Sequence, residues 1–251
     1  MNNQTVKNYI NTQLGTESEV QIQALEGGAS NLTYRVSAGQ QSLILRTSPP
    51  GKKAQGAHNM QREFEWLKAL NPSYQLCPEP LFLCQDKQVF EREFYAMEPI
   101  DGLIIRQQLP DGLTAGQSPQ LCQELIKTHH QLHQCEAASL SAFDKGRGYI
   151  NRQISGWIAR YLQVKPQARE SKTNHDETVM NWLQQNMPED NRIYCPIHND
   201  FKFDNVVFEA QNSDTPKIIG VLDWELATVG DPLMDLGCSL AYWIEACDSD
   251  H

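Results

Sequence analysis

From Glu19 to Met97 the apolar residues recur mainly at every second position. The stretches "VQIQAL", "LTYRV" and "SLILRT" alternate or run apolar over short spans, and "SAGQQ" between the last two carries the glycine and polar residues of a hairpin turn. "EPLFLC", "QDKQ" and "VFEREFYAM" repeat that pattern as a second hairpin. One helix interrupts it around Asn59 to Leu70, where Met60, Phe64, Leu67 and Leu70 share a face at helical spacing. A small antiparallel sheet with one packed helix is the expectation for residues 1–97. After "EPIDG", residues 98–102, the segments become helix-length: "SPQLCQELIKTHHQLHQC", "YINRQISGWIARYLQV" and "DETVMNWLQQNM". Short strands return only at "RIYCPI", "NVVFE" and "KIIGVLDW", with the turn-rich "AQNSDTP" between the last two. The pattern predicts an α+β fold of two lobes: β-rich over 1–97, a hinge at 98–102, and mainly helical over 103–251. A cleft between the lobes is the natural place for a ligand.

Composition narrows the function. A chain of 251 residues buries enough surface for an independent core. The seven cysteines are odd in number, scattered and without a C-x-x-C pair, which predicts reduced thiols and neither a disulfide framework nor a cysteine zinc site. The formal net charge is −10, and the Lys and Arg residues form no stripe, so a nucleic-acid partner is not expected. The first residues lack a signal-peptide pattern and no apolar run is long enough for a membrane span, so a soluble cytoplasmic protein with no membrane partner is expected. The oligomeric state is not legible.

Candidate chemistry concentrates in "HNDFKFDNVVF" and "VLDWELATVGDPLMDLG". The first places His198, Asp200, Lys202 and Asn205 just before an apolar strand; the second places Asp223 at the end of another, with Glu225 two residues on. A carboxylate leaving the core beside a loop with Asp and Asn can assemble oxygen ligands for Mg²⁺ plus a separate carboxylate for a substrate hydroxyl, the parts that phosphoryl transfer needs. Taken singly, the same residues serve equally well in turns and caps.

With "GGASNLTYRV", "LILRTSPPG", "AHNMQREFEWLKAL", "FYAMEPIDG", "GYINRQISGW" and "VLDWELATVGDPLMDLG", nearly the whole chain resembles the aminoglycoside phosphotransferase and choline kinase-like family, most of all its branch fused to acyl-CoA dehydrogenases. The resemblance implies a protein-kinase-like fold, ATP with Mg²⁺, and transfer to a small-molecule hydroxyl. It makes Asp200 the catalytic base, which orients the acceptor hydroxyl and takes its proton. Asn205 and Asp223 become the Mg²⁺ ligands, and His198 a support of the loop. Asn199 stands where the family usually has Gly, a substitution that asparagine's tolerance of unusual backbone angles permits.

The same resemblance makes Gly27, Gly28, Ser30 and Asn31 the loop that covers the nucleotide, glycines letting backbone N–H groups approach phosphate closely. Arg46 takes the strand position where kinases generally have Lys. Glu63 lies on the apolar face of its helix and, if buried, requires a cation. Arg46 is the candidate partner, its planar fork suiting carboxylate and phosphate alike. Glu63 pairing with Arg62 or Lys68 at the surface is the alternative. Glu98 and Ile100 match the hinge that would present backbone groups to adenine, although an ordinary linker has the same residues.

His129 and His133 have a zinc-compatible spacing without a third ligand in sequence, and packing is the expectation. Asp231 before Pro232 reads as a helix cap. Asp235 is expected to brace the catalytic loop. The helical lobe is expected to be abbreviated, since relatives continue with further helices after "LAYW". A catalytically impaired nucleotide-binding module or a fragment is therefore the alternative to an active kinase. A metal-dependent hydrolase ranks last, because it leaves the β-rich lobe and the Arg46–Glu63 pairing unexplained.

Overall fold

The structure is a computed structural model, and it describes residues 1, 3–25, 31–51, 59–106, 108–111, 113–136, 138–164, 175–190, 194–210 and 216–243. Helix α1 (Gln4–Leu14) precedes three strands, β1 (Val20–Leu25), β2 (Leu32–Ala38) and β3 (Gln41–Thr47). Helix α2 (Met60–Leu70) follows, then β4 (Pro80–Cys84) and β5 (Phe94–Met97). These five strands form one sheet in the order β1-β2-β3-β5-β4, antiparallel at every pairing. The remainder carries α3 (Ser118–His133), α4 (Tyr149–Val164), α5 (His175–Gln185) and α6 (Pro232–Leu240). Two short antiparallel ribbons lie among them: β6 (Cys195–Ile197) with β9 (Thr228–Gly230), and β7 (Val206–Phe208) with β8 (Ile218–Val221). The expected antiparallel sheet and mainly helical remainder are both present.

Two elements have no counterpart in the sequence reading. Helix α1 is short and starts on an asparagine cap, Asn3, whose side chain accepts from Val6 N–H. Only Val6 and Ile10 of it are buried, an apolar stripe too narrow to stand out in the pattern. Strand β9, "TVG", is three residues long and is a strand only because Ile197 and Cys195 lie opposite Thr228 and Gly230. On α2, the buried side chains are Met60, Glu63, Trp66, Leu67 and Leu70, while Phe64 is only half-buried. The face is thus rotated towards Glu63 and Trp66, because Trp66 packs edge-on against Phe143 from the helical part at 5.0 Å.

Strand alternation decides what faces what. Leu43 and Leu45 of β3 pack with Val6, Ile10, Val36 and Phe94 in a core on the α1 side of the sheet. Ile44 points the other way and joins Met60, Trp66 and Leu67 in a second core, continuous with Leu125, Phe201, Val206, Val221 and Trp224. By the same period of two, Arg46 shares the face of Ile44 and meets α2. Each of the large apolar side chains in this second core contributes about 1.5–3 kcal/mol by leaving water, enough in sum to hold sheet and helices in one arrangement.

The chain leaves the sheet through a tightly fitted segment. Glu98 N–H donates to Glu79 O at 2.9 Å, and Leu103 exchanges two backbone hydrogen bonds with Phe208, at 2.8 and 2.7 Å. A Cβ on Gly102 would lie 2.3 Å from the Phe208 carbonyl oxygen, so only glycine permits this approach. Among the described residues no helix is long and apolar enough to cross a membrane.

Candidate phosphotransfer site

Strand β6 ends at Ile197 and delivers His198, buried, into a turn in which Asn199 adopts φ +64°. Strand β8 ends at Val221 and delivers Asp223, also at φ +64°. Left-handed backbone is uncommon outside glycine, and Asn and Asp tolerate it best among the rest. At Asn199 the side chain also holds the turn: Nδ2 donates to Leu226 O at 2.9 Å and Oδ1 accepts from Tyr149 Oη at 3.2 Å. A glycine would supply the angle but not these two bonds.

The two turns are joined through the backbone. Leu222 N–H donates to Asn205 O at 2.8 Å, placing Asn205 and Asp223 side by side in the fold. Asn205 Nδ2 donates to both the backbone O and the carboxylate Oδ2 of Asp200, each at 2.8 Å. This orientation commits the amide nitrogen to Asp200 and leaves the Asn205 amide oxygen as the atom available to a cation. Asp200 Oδ1 accepts from Tyr242 Oη at 2.7 Å and lies 3.1 Å from Lys202 Nζ. The Lys202 ammonium is pushed up: partial burial lowers it, and the hydrogen bond and charge of Asp200 more than offset that.

His198 is fixed as a neutral ring. Its Nδ1 accepts from Asp200 N–H at 3.2 Å and its Nε2 lies 2.9 Å from Leu222 O, so the proton is on Nε2. Full burial holds its pKa below the ordinary histidine value, against the pull of Asp235.

Asp235, fully buried in α6, braces the loop from beneath. Its Oδ1 accepts from Asn199 N–H at 2.6 Å and its Oδ2 from His198 N–H at 2.9 Å. The Nε2 atoms of His129 and His133 lie 2.8 and 2.9 Å from the same Oδ2. Burial raises the Asp235 carboxyl, and these donors override it, holding the group well below the usual carboxylate range. The two histidines are therefore more than packing: the partner absent from the local sequence comes from 106 and 102 residues away. His129, His133 and Asp235 are the one set of His, Cys, Asp or Glu atoms among the described residues that could share a metal, and their contacts have hydrogen-bond length. A cavity of about 770 Å³ beside them, lined by Ile126, His129, His133, Cys195 and Leu236, touches none of Asp200, Asn205 and Asp223.

From the sheet, Arg46 reaches across to the same place. Its guanidinium lies 3.3 Å from Glu63 Oε1 and 2.7 Å from Asp223 Oδ1. Burial lowers the Arg46 pKa, but Glu63, Tyr95 and Asp223 outweigh it and keep the group charged. Burial pushes Glu63 up, opposed by Arg46. Glu63 is 2% exposed and paired with Arg46, so the surface pairing with Arg62 or Lys68 does not occur. Arg62 instead donates to the backbone oxygens of Glu225, at 3.2 Å, and Ala227. Glu225 Oε2 accepts from Asn31 Nδ2 at 2.8 Å.

The structure thus brings Asp200, Lys202, Asn205, Asp223, His198 and Asp235 together, and adds Arg46, Glu63, Glu225 and Asn31 from both sides. Glu98 and Ile100 lie apart from this group, at the exit from the sheet. Gly27, Gly28 and Ser30 lie outside the described residues. Sequence reasoning missed Arg62, Tyr242, and the tie of His129 and His133 to Asp235. Only the i, i+4 spacing of the histidines left a signal, since the other contacts join distant segments.

The pattern that defines the phosphotransferase enzyme family matches residues 21–249. Acyl-CoA dehydrogenase family member 11 of Homo sapiens is 35% identical over 235 residues, covering 91% of this chain and 29% of that protein. Probable acyl-CoA dehydrogenase IBR3 of Arabidopsis thaliana is 30% identical over 238 residues, covering 90% of this chain and 28% of that protein. The chain spans less than a third of these curated relatives. Among solved structures, a putative aminoglycoside phosphotransferase from Ralstonia eutropha superposes with a TM-score of 0.79 at 24% identity, covering 97% of this chain and 70% of that one. The streptomycin–ATP complex of APH(2″)-IIa superposes with a TM-score of 0.64 at 20% identity, covering 94% and 74%. The protein-kinase-like fold is shared with these structures, and the chain belongs to the phosphotransferase enzyme family, with the acyl-CoA dehydrogenase family members similar to it over part of their length.

Proposed function

We propose that this chain is an ATP- and Mg²⁺-dependent phosphotransferase acting on a small-molecule hydroxyl. The observation that carries the reading is the Asp200–Asn205 pair, hydrogen-bonded to each other and tied through Leu222 to Asp223. The donor set fits a hard divalent cation, because Asn205 offers its amide oxygen and Asp223 a carboxylate with Oδ2 not engaged by Arg46. Asn205 and Asp223 would hold Mg²⁺, whose chemistry is to neutralise charge developing on the phosphates. Residues 98–102 serve as the hinge between the sheet and the helical part, with the Glu98 carbonyl and Ile100 N–H facing adenine; the Glu98 N–H is already bonded to Glu79 O.

In this reading Arg46 stays fixed by Glu63 and turns the arm now on Asp223 Oδ1 to phosphate oxygens, and Gly27, Gly28, Ser30 and Asn31 cover them. Asp200 orients the acceptor hydroxyl and takes its proton as the oxygen attacks. The neutral His198 ring and the buried Asp235 hold the backbone beneath Asp200, so that little reorganisation is needed at reaction. The curated relatives carry acyl-CoA dehydrogenase in their names, so hydroxy acids and their CoA thioesters are the first acceptors to test, ahead of aminoglycosides.

The test begins with the unfolding midpoint in ATP, in Mg²⁺ and in both. At about 100 times Kd a ligand adds about 2.7 kcal/mol, a rise of about 5–10 °C for a chain of this size. The rise should need both components and vanish in Asp223→Asn. Asp200→Ala should abolish transfer with nucleotide binding retained. A midpoint that moves under no condition would leave the impaired-module or fragment reading.

A further inference from the structure

Two residues beyond α6 the chain lays Tyr242 against the catalytic loop. Its hydroxyl donates to Asp200 Oδ1 at 2.7 Å. The Lys202 ammonium lies 3.1 Å from that same oxygen and 4.4 Å from the centre of the Tyr242 ring, while Asn205 occupies Oδ2 at 2.8 Å. Both oxygens of the carboxylate are therefore engaged, and the partner on Oδ1 is a hydroxyl. A hydroxyl donating to this carboxylate is also what an acceptor must be if Asp200 is the base.

We propose that Tyr242 holds the acceptor's place: its phenol sits on Asp200 until an acceptor displaces it, and in doing so keeps water from being activated there. The inference rests on the phosphotransferase reading above. Tyr242 is 51% exposed; its backbone N–H is held by Ser239 O at 3.2 Å, while its side chain is held by Asp200 and Lys202, both at the surface of the loop, so the ring can swing outward without unpacking a core. Lys202 lies against the ring and steadies the closed position. With the hydroxyl removed, water can donate to Oδ1 in its stead. The water oxygen then bonds to the γ-phosphorus, the bond from that phosphorus to the ADP oxygen breaks, and the water proton passes to Asp200. The products are ADP and inorganic phosphate.

The experiment needs no knowledge of the true acceptor. Phosphate release from Mg²⁺-ATP is measured for the wild type, Tyr242→Phe, Tyr242→Leu and Tyr242→Phe with Asp200→Asn, beside nucleotide affinity by calorimetry. Hydrolysis should rise several-fold in both single variants, fall below wild type in the double variant, and leave nucleotide affinity unchanged. Unchanged or reduced hydrolysis in both single variants at intact affinity overturns the proposal while the kinase reading stands. Absence of nucleotide binding in the wild type overturns the kinase reading and this inference with it.

Discussion

Arg46 faces two carboxylates, and its loss reads differently at each. Glu63 is buried on all sides, so Arg46→Met would strand a carboxylate in the core and cost about 3–5 kcal/mol of stability. Adding Glu63→Leu should recover most of that loss in denaturant melts without restoring nucleotide affinity. His198 supplies a pH dependence. Its folded pKa is depressed, so below about pH 6.5 the unfolded chain binds a proton that the folded one does not. The stability that His198 contributes is present above that pH and is lost as pH falls, at up to about 1.4 kcal/mol per pH unit, until the folded pKa is reached. Unfolding free energy measured from pH 5.5 to 7.5 should therefore rise with pH, and less steeply in His198→Asn.

At the scale of elements, the site is positioned by short ribbons rather than by the five-stranded sheet. β6–β9 and β7–β8 each contribute only a few ladder bonds, yet they fix where Asp200, Asn205 and Asp223 emerge. The exit segment is registered on β7 through Leu103 and Phe208, and Gly102 permits that contact. Gly102→Ala meets a backbone oxygen rather than a yielding side chain, so it should destabilise by about 1–3 kcal/mol and weaken nucleotide binding. By contrast, a Cβ at Gly146 would meet nothing, although its φ of +69° strains any replacement there. These short strands read clearly from their apolar runs in β7 and β8. β9 was illegible because it owes its strand character to its partner.

Across the whole molecule, Arg62 is the latch between α2 and the loop after Asp223. It is the residue next to Glu63 in the helix, yet it binds carbonyls 163 and 165 residues away. Burial lowers its pKa, and Glu63 partly offsets that. Arg62→Ala should cost about 1.5–3 kcal/mol for hydrogen bonds to a charged donor. Hydrogen exchange should then quicken across residues 222–230 while β2 and β3 keep their protection. The solvent-facing Arg35–Asp101 pair, at 2.6 Å but with side chains 36% and 67% exposed, should contribute less than about 1 kcal/mol when tested in the same way.

The apolar periodicity by itself determined the sheet and most of the helices, because burial imposes period 2 on strands and 3.6 on helices wherever an element is long enough to show it. The spacing of His198, Asp200 and Asn205 ahead of a strand, and of Asp223 at the end of another, was likewise written in the chain, since a strand end fixes where the next few side chains stand. Tertiary structure alone decided that Arg46 would reach Asp223 as well as Glu63, that two histidines would join Asp235 beneath the loop carrying Asp200, and that Tyr242 would meet Asp200. These are contacts between segments tens to hundreds of residues apart, made by charged and polar groups whose partners are set by packing, and no local pattern encodes which of several possible partners a buried charge will meet.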